Sequence, residues 1–169
     1  MNNKGFTLLE LLVTLVVVAL LLAIALPSFT QHTRRARLLT ETDTFQQGIV
    51  LTRTQAIGLN RRVTMAHRGD WTAGWDIFID SNHNGQVDSG ETILLSQHTP
   101  LKASIKSTTP VNSYVSFTGS GQSQLATGRN SGAFQAGTFT LCMDNMNSTQ
   151  LIMSRGGRVR LIKESSETC

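Results

Sequence analysis

Catalytic apparatus is what this sequence has least of. No phosphate-binding glycine loop, zinc-ligand pair or nucleophile elbow occurs in its 169 residues. The four histidines, His32, His67, His83 and His98, stand apart with no carboxylate at a useful spacing. That combination argues against an enzyme. Aromatic residues are scarce, with one tyrosine and two tryptophans. Trp71, Trp75, Phe78 and Tyr114 therefore read as core or rim rather than as a platform for stacked bases. Charged residues make up only 15% of the chain, and lysine is the rarer cation, four against eleven arginines. An arginine excess suits bidentate contacts to phosphates or carboxylates, although a net charge of +4 does not by itself mark a nucleic-acid binder. There is no internal repeat and no low-complexity block of charge.

One thing is abundant, an apolar run at the start. In MNNKGFTLLELLVTLVVVALLLAIALP, five residues with one cation, Lys4, end at Gly5, and an apolar stretch then extends from Phe6 to Leu26. As a helix its 21 residues would be about 31 Å long, close to one bilayer core. One carboxylate, Glu10, interrupts it. An unpartnered glutamate there costs ~2–4 kcal/mol on insertion scales, so it calls for a partner or a function. A cleavable secretory signal would end in small residues, whereas Pro27, Ser28 and Phe29 follow this run. From periodicity alone, a plain signal anchor stays open.

The string Lys4-Gly5-Phe6-Thr7-Leu8-Leu9-Glu10 resembles the class III signal of type IV pilins and type II secretion pseudopilins. The resemblance implies cleavage by a prepilin peptidase between Gly5 and Phe6, followed by N-methylation of Phe6. It also implies an apolar helix that anchors the mature protein in the inner membrane until assembly. Glu10 would then pair with the free amino group of a neighbouring pilin's first residue. Pro27 falls where such helices often carry a proline that bends or loosens them.

Beyond Pro27 the helical pattern resumes. Leu38, Thr42, Phe45, Ile49, Thr52 and Ala56 recur at steps of four and three and mark one face. Arg34, Arg35, Arg37, Glu41 and Arg53 lie largely off it. One helix is expected from about Phe6 to about Leu59, its second half packed on a sheet, with Gly58 and Asn60 suited to its end. Short β-like runs follow at 62–67, 75–80, 92–97, 114–118, 138–143, 151–154 and 158–162. Strands after one N-terminal helix indicate an α+β class with an antiparallel sheet. The Gly- and Ser-rich segment 119–137 reads as a mobile loop.

Two local motifs carry possible chemistry. The first is 80–91, DSNHNGQVDSGE, which fits a calcium-loop pattern. Asp80, Asn82, Asn84, Asp88 and Glu91 could supply side-chain oxygens and Gln86 its carbonyl, with a turn at Gly85. The flanks, WDIFID and ETILLS, read as strands, so a β-hairpin connection rich in turn formers is the competing reading. The second is 154–163, SRGGRVRLIK. Its glycine pair marks a tight turn between strands, beyond which Arg158 and Arg160 share a face while Val159 and Leu161 point to the core. Arg155 and Lys163 can join them in a compact clamp for polyanions. The competing reading is an edge strand guarded by charge.

Together with the stem, Gly157-Arg158-Val159-Arg160 resembles the FimT/GspH family of minor pilins. In FimT members a GRxR motif binds DNA for natural transformation. Carried over, this nominates Arg158 and Arg160, with Arg155 and Lys163 beside them, as contacts to double-stranded DNA without sequence preference. Arg61, Arg62, Arg68 and Arg129 could widen the patch if the fold brings them near. The resemblance implies the pilin fold, a leader at 1–5, a transmembrane and assembly helix at 6–27, and a periplasmic domain at 28–169. Two cysteines in an exported chain, Cys142 and Cys169, read as one disulfide holding the C-terminus to an interior strand. A disulfide reaching the last residue resembles FimU-like minor pilins of the pilus tip, and GspH-type pseudopilins share the same stem. Those are assembly roles without DNA capture.

Overall fold

A computed structural model describes residues 7–128, 132–143 and 147–168, side chains at 24–28, 147 and 164–168 excepted. Gly5, Phe6, Arg129 and Cys169 lie outside the described residues.

Helix α1 spans Leu8–Leu59 and is helical through Pro27. Its start has a local cause. The Thr7 hydroxyl accepts the Glu10 amide hydrogen at 3.3 Å, and Leu11 N donates to the Thr7 carbonyl at 3.2 Å. Thr7 is thus the N-cap, and Glu10 stands at the third helical position, where a carboxylate also meets the positive end of the helix dipole. The end is equally specific. Asn60 takes φ 49°, Arg61 N donates to Ala56 O and Asn60 N to Ile57 O, both at 3.2 Å. This pair of bonds is the Schellman termination, with Asn60 rather than Gly58 as the left-handed residue.

The chain forms two compact units, one through Arg37 and one from Leu38 onward. In the first, every described side chain of α1 is exposed. Among the described residues no helix is long and apolar enough to cross a membrane. The part of the apolar run with described side chains, Leu8–Ala23, amounts to only about 24 Å of helix.

The second unit holds eight strands: β1 Val63–Arg68, β2 Asp70–Ile79, β3 Ile93–Gln97, β4 Ser104–Ser107, β5 Tyr114–Phe117, β6 Gly137–Cys142, β7 Asn147–Met153 and β8 Val159–Thr168. They make two antiparallel sheets in the orders β3-β2-β1-β5 and β4-β6-β7-β8. The core lies against the expected stripe of α1, since Leu38, Thr42, Phe45, Ile49, Thr52 and Ala56 are all buried. The two threonines are tolerated because their hydroxyls donate to Leu38 O and Gly48 O, each at 2.7 Å. Phe45 stands edge-on to Trp71, Trp75 and Phe139, with ring centroids 5.0–5.3 Å apart. One helix side chain therefore touches aromatic residues of both sheets. The tryptophans and Phe78 belong to the core, as the sequence reading expected.

Two expectations need correction. β4 (SIKS) and the first half of β2 were not among the expected runs. Segment 119–137, read as a mobile loop, is anchored where it is described. Ser123 and Gln135 are fully buried, Ser123 Oγ donates to Gln135 O at 2.6 Å, and Gln135 Oε1 accepts Ser116 N at 3.0 Å. Gln135 Nε2 donates to Pro110 O at 3.0 Å and Tyr114 O at 2.8 Å. The segment lies along the open edge of β5, where Gln124 N donates to Ser116 O at 3.0 Å and Gln135 serves Ser116 N and Tyr114 O, so that these edge groups need no water.

Candidate nucleic-acid interface

The arginine motif forms the β7–β8 turn. Ser154 N donates to Arg158 O at 2.9 Å, Gly157 N to Ser154 O at 2.8 Å, and Arg158 N to Ser154 Oγ at 3.2 Å. Gly157 has φ +74°, and a Cβ there would lie 2.6 Å from Phe117 Cε1 and 3.0 Å from Gly121 O. Only glycine lets the turn sit this close to the first sheet. The opposite flank is tied by Ser123 Oγ, 3.0 Å from Arg155 O. Arg155 and Arg158 at this fixed turn, and Arg160 and Lys163 in the β8 strand that leaves it, have exposed side chains, while Val159 and Leu161 pack against the core. None of the four cations is paired among the described residues. β8 is the outer strand of its sheet.

The other arginines divide sharply. Arg62 is 6% exposed and does not join the surface. Its Nη1 donates to Ser116 Oγ at 2.9 Å and Gln124 O at 3.2 Å. Burial pushes the pKa of its guanidinium below the ordinary value, opposed first by the Asp80 carboxylate and then by Tyr114. Arg68 is engaged by Asp76, with Nε 3.1 Å from Oδ2, and its Nη1 contacts the His98 ring. Arg61 is exposed beside Asn60, whose Oδ1 lies 2.5 Å from the Cβ position of Gly119. Arg53 was not nominated from sequence, yet its Nε donates to Gly121 O at 2.9 Å. No local signal reveals that contact, since helix and loop are 68 residues apart.

The 80–91 loop joins β2 to β3, as its flanks suggested. Asp80 is only 1% exposed and accepts from Thr64 Oγ1 at 2.9 Å, Asn84 N at 3.1 Å and Gly85 N at 3.0 Å. Asp88 Oδ2 accepts the side-chain amides of Asn82 and Asn84 at 2.6 and 2.7 Å. Glu91 accepts Ser81 N and Asp88 N at 2.8 and 3.2 Å, and Asn84 Oδ1 accepts Gln86 N at 2.8 Å. Each carboxylate is thus occupied by the loop's own N–H groups or by Thr64. Among the described residues no three His, Cys, Asp or Glu side chains are grouped as a metal site. Cys142 is not a free thiol. Glu10 lies exposed on the first turn of α1.

Comparison with known proteins places these features in context. Residues 41–157 match the family model "Type II transport protein GspH", and residues 1–26 match the prokaryotic N-terminal methylation motif. No curated protein matches the chain. Two crystal forms of the type IV minor pilin FimU from Pseudomonas aeruginosa share the fold. One, at 18% identity and TM-score 0.56, aligns over 75% of this chain and 93% of FimU. The other, at 19% and 0.58, aligns over 79% and 93%.

Proposed function

Because the chain belongs to the GspH family and begins with a prokaryotic N-terminal methylation motif, we propose that it is a minor type IV pilin that binds extracellular DNA. Binding is to double-stranded DNA, without sequence preference, and serves uptake in natural transformation. Prepilin peptidase cleaves between Gly5 and Phe6, and Phe6 is methylated. The apolar start of α1 holds the protein in the inner membrane, with its domain in the periplasm, until it joins other pilins in a fibre at the cell surface. There Glu10 pairs with a neighbour's terminal amine. Cys142 bonds to Cys169 and fastens the C-terminal strand.

The observation that carries the DNA reading is the set of four exposed cations, unpaired among the described residues, at the β7–β8 turn and the start of β8: Arg155, Arg158, Arg160 and Lys163. The three guanidiniums fit phosphate oxygens bidentately and the lysine adds a point charge, so contact is led by the DNA backbone. Single-domain affinity is weak, and several subunits in one fibre raise it by avidity. Arg158→Gln combined with Arg160→Gln should abolish duplex binding and leave the melting temperature unchanged. Intact binding with a lowered melting temperature would overturn this reading.

A second reading is favoured by one observation, the position of β8 at the sheet edge. Exposed cations on an outer strand also prevent edge-to-edge pairing. On that account the protein is a tip or priming subunit, or a secretion pseudopilin, and binds no DNA.

A further inference from the structure

We infer that Arg53, near the end of α1, is an additional phosphate contact of the same surface. This rests on the DNA-binding reading and adds a residue from a different element of the fold.

Arg53 lies off the buried stripe of α1 and is half-buried. Nε donates to Gly121 O at 2.9 Å, and that same oxygen is 3.0 Å from the Cβ position of Gly157. Gly121 is wedged between helix and turn, since a Cβ on it would meet Ile57 Cδ1 at 2.7 Å and Arg53 Nε at 3.3 Å. The Arg53 guanidinium is therefore two atomic contacts from Gly157, the residue immediately before Arg158.

The Gly121 bond uses Nε and orients the guanidinium plane, which leaves the Nη groups to donate. No carboxylate pairs with Arg53 among the described residues. An arginine already held in one orientation loses less conformational freedom on meeting a ligand than a free one does. Arg155 and Arg158 lie across the Gly121 loop from it, so Arg53 takes a phosphate of its own instead of sharing theirs.

The test uses the full chain in nonionic detergent and a short random-sequence DNA duplex titrated over a range of salt. Arg53→Gln should weaken binding five- to tenfold at about 0.1 M salt and lower the magnitude of the salt slope by about 0.9. Arg53→Lys should recover the slope, because a phosphate contact needs the charge. An unchanged slope in Arg53→Gln, or equal losses in the Gln and Lys variants, would overturn the proposal and leave Arg53 as a tie to Gly121. Loss of binding in the Arg158/Arg160 double variant with Arg53→Gln unaffected overturns this inference alone. Full binding by the double variant overturns both readings.

Discussion

Gly156 and Gly157 are adjacent in sequence, yet alanine should have opposite consequences at the two. At Gly157 the backbone has φ +74°, and the new methyl would lie 2.6 Å from Phe117 Cε1, inside contact distance of a ring that is fully buried. The left-handed conformation costs a non-glycine residue about 1–2 kcal/mol. Forcing a methyl against a packed aromatic costs typically 1–3 kcal/mol more. The two together give about 2–5 kcal/mol, several times the usual effect of a surface substitution. For a domain of this size that lowers the melting temperature by roughly 4–20 °C. At Gly156 nothing lies within 4 Å of the added methyl, so the change should stay within about 1 kcal/mol. Thermal unfolding by circular dichroism on both variants measures the contrast, and DNA titration of the survivors adds a functional reading. Gly157→Ala should also lose affinity although every arginine remains, because the turn that aims them has moved. Equal melting temperatures for the two variants would refute the argument that Gly157 seats the turn on Phe117.

Asp80→Ala should cost about 2–4 kcal/mol, because it strips acceptors from Thr64, Asn84 and Gly85 and removes the charge that offsets buried Arg62. A melting-temperature drop below a degree would contradict that role. With the loop oxygens already accepting internal hydrogens, millimolar calcium should leave the melting temperature unchanged, and a chelator-reversible rise would show a cation site at 80–91. Glu10→Gln should impair incorporation into fibres while membrane insertion and the Thr7 cap persist, and normal incorporation would sink the amine pairing. If Cys142 bonds to Cys169 as proposed, reduction should cost ~3–4 kcal/mol by the chain-entropy account. An unchanged denaturant midpoint after reduction would mean that no such bond closes the C-terminus.

Much of the fold could be read locally. The α1 stripe was legible because 3.6-residue periodicity is a property of the helix itself, and each of its six expected positions is buried. The Thr7 N-cap is equally local, but the apolar run that follows it hides the signal. β4 escaped because Ser104-Ile105-Lys106-Ser107 has one apolar residue, and its strand character comes from pairing with β6 across more than thirty residues. Composition misled at 119–137, where Gly and Ser suggest mobility while Ser123 and Gln135 are fixed by strands distant in sequence. The candidate site was half legible. Alternation exposed Arg158 and Arg160, but nothing local distinguishes Arg61, exposed, from Arg62, which closes a buried polar cluster with Ser116 and Gln124.

The most direct test of the central claim is the salt dependence of binding between the wild-type periplasmic domain and a random-sequence DNA duplex. The four cations of the turn and β8 predict that log K falls linearly with log salt, with a slope of about −3 to −4, which the Arg53 contact steepens to about −4.5. No binding at low salt, or binding indifferent to salt, would contradict the account and leave the arginine turn a guarded sheet edge.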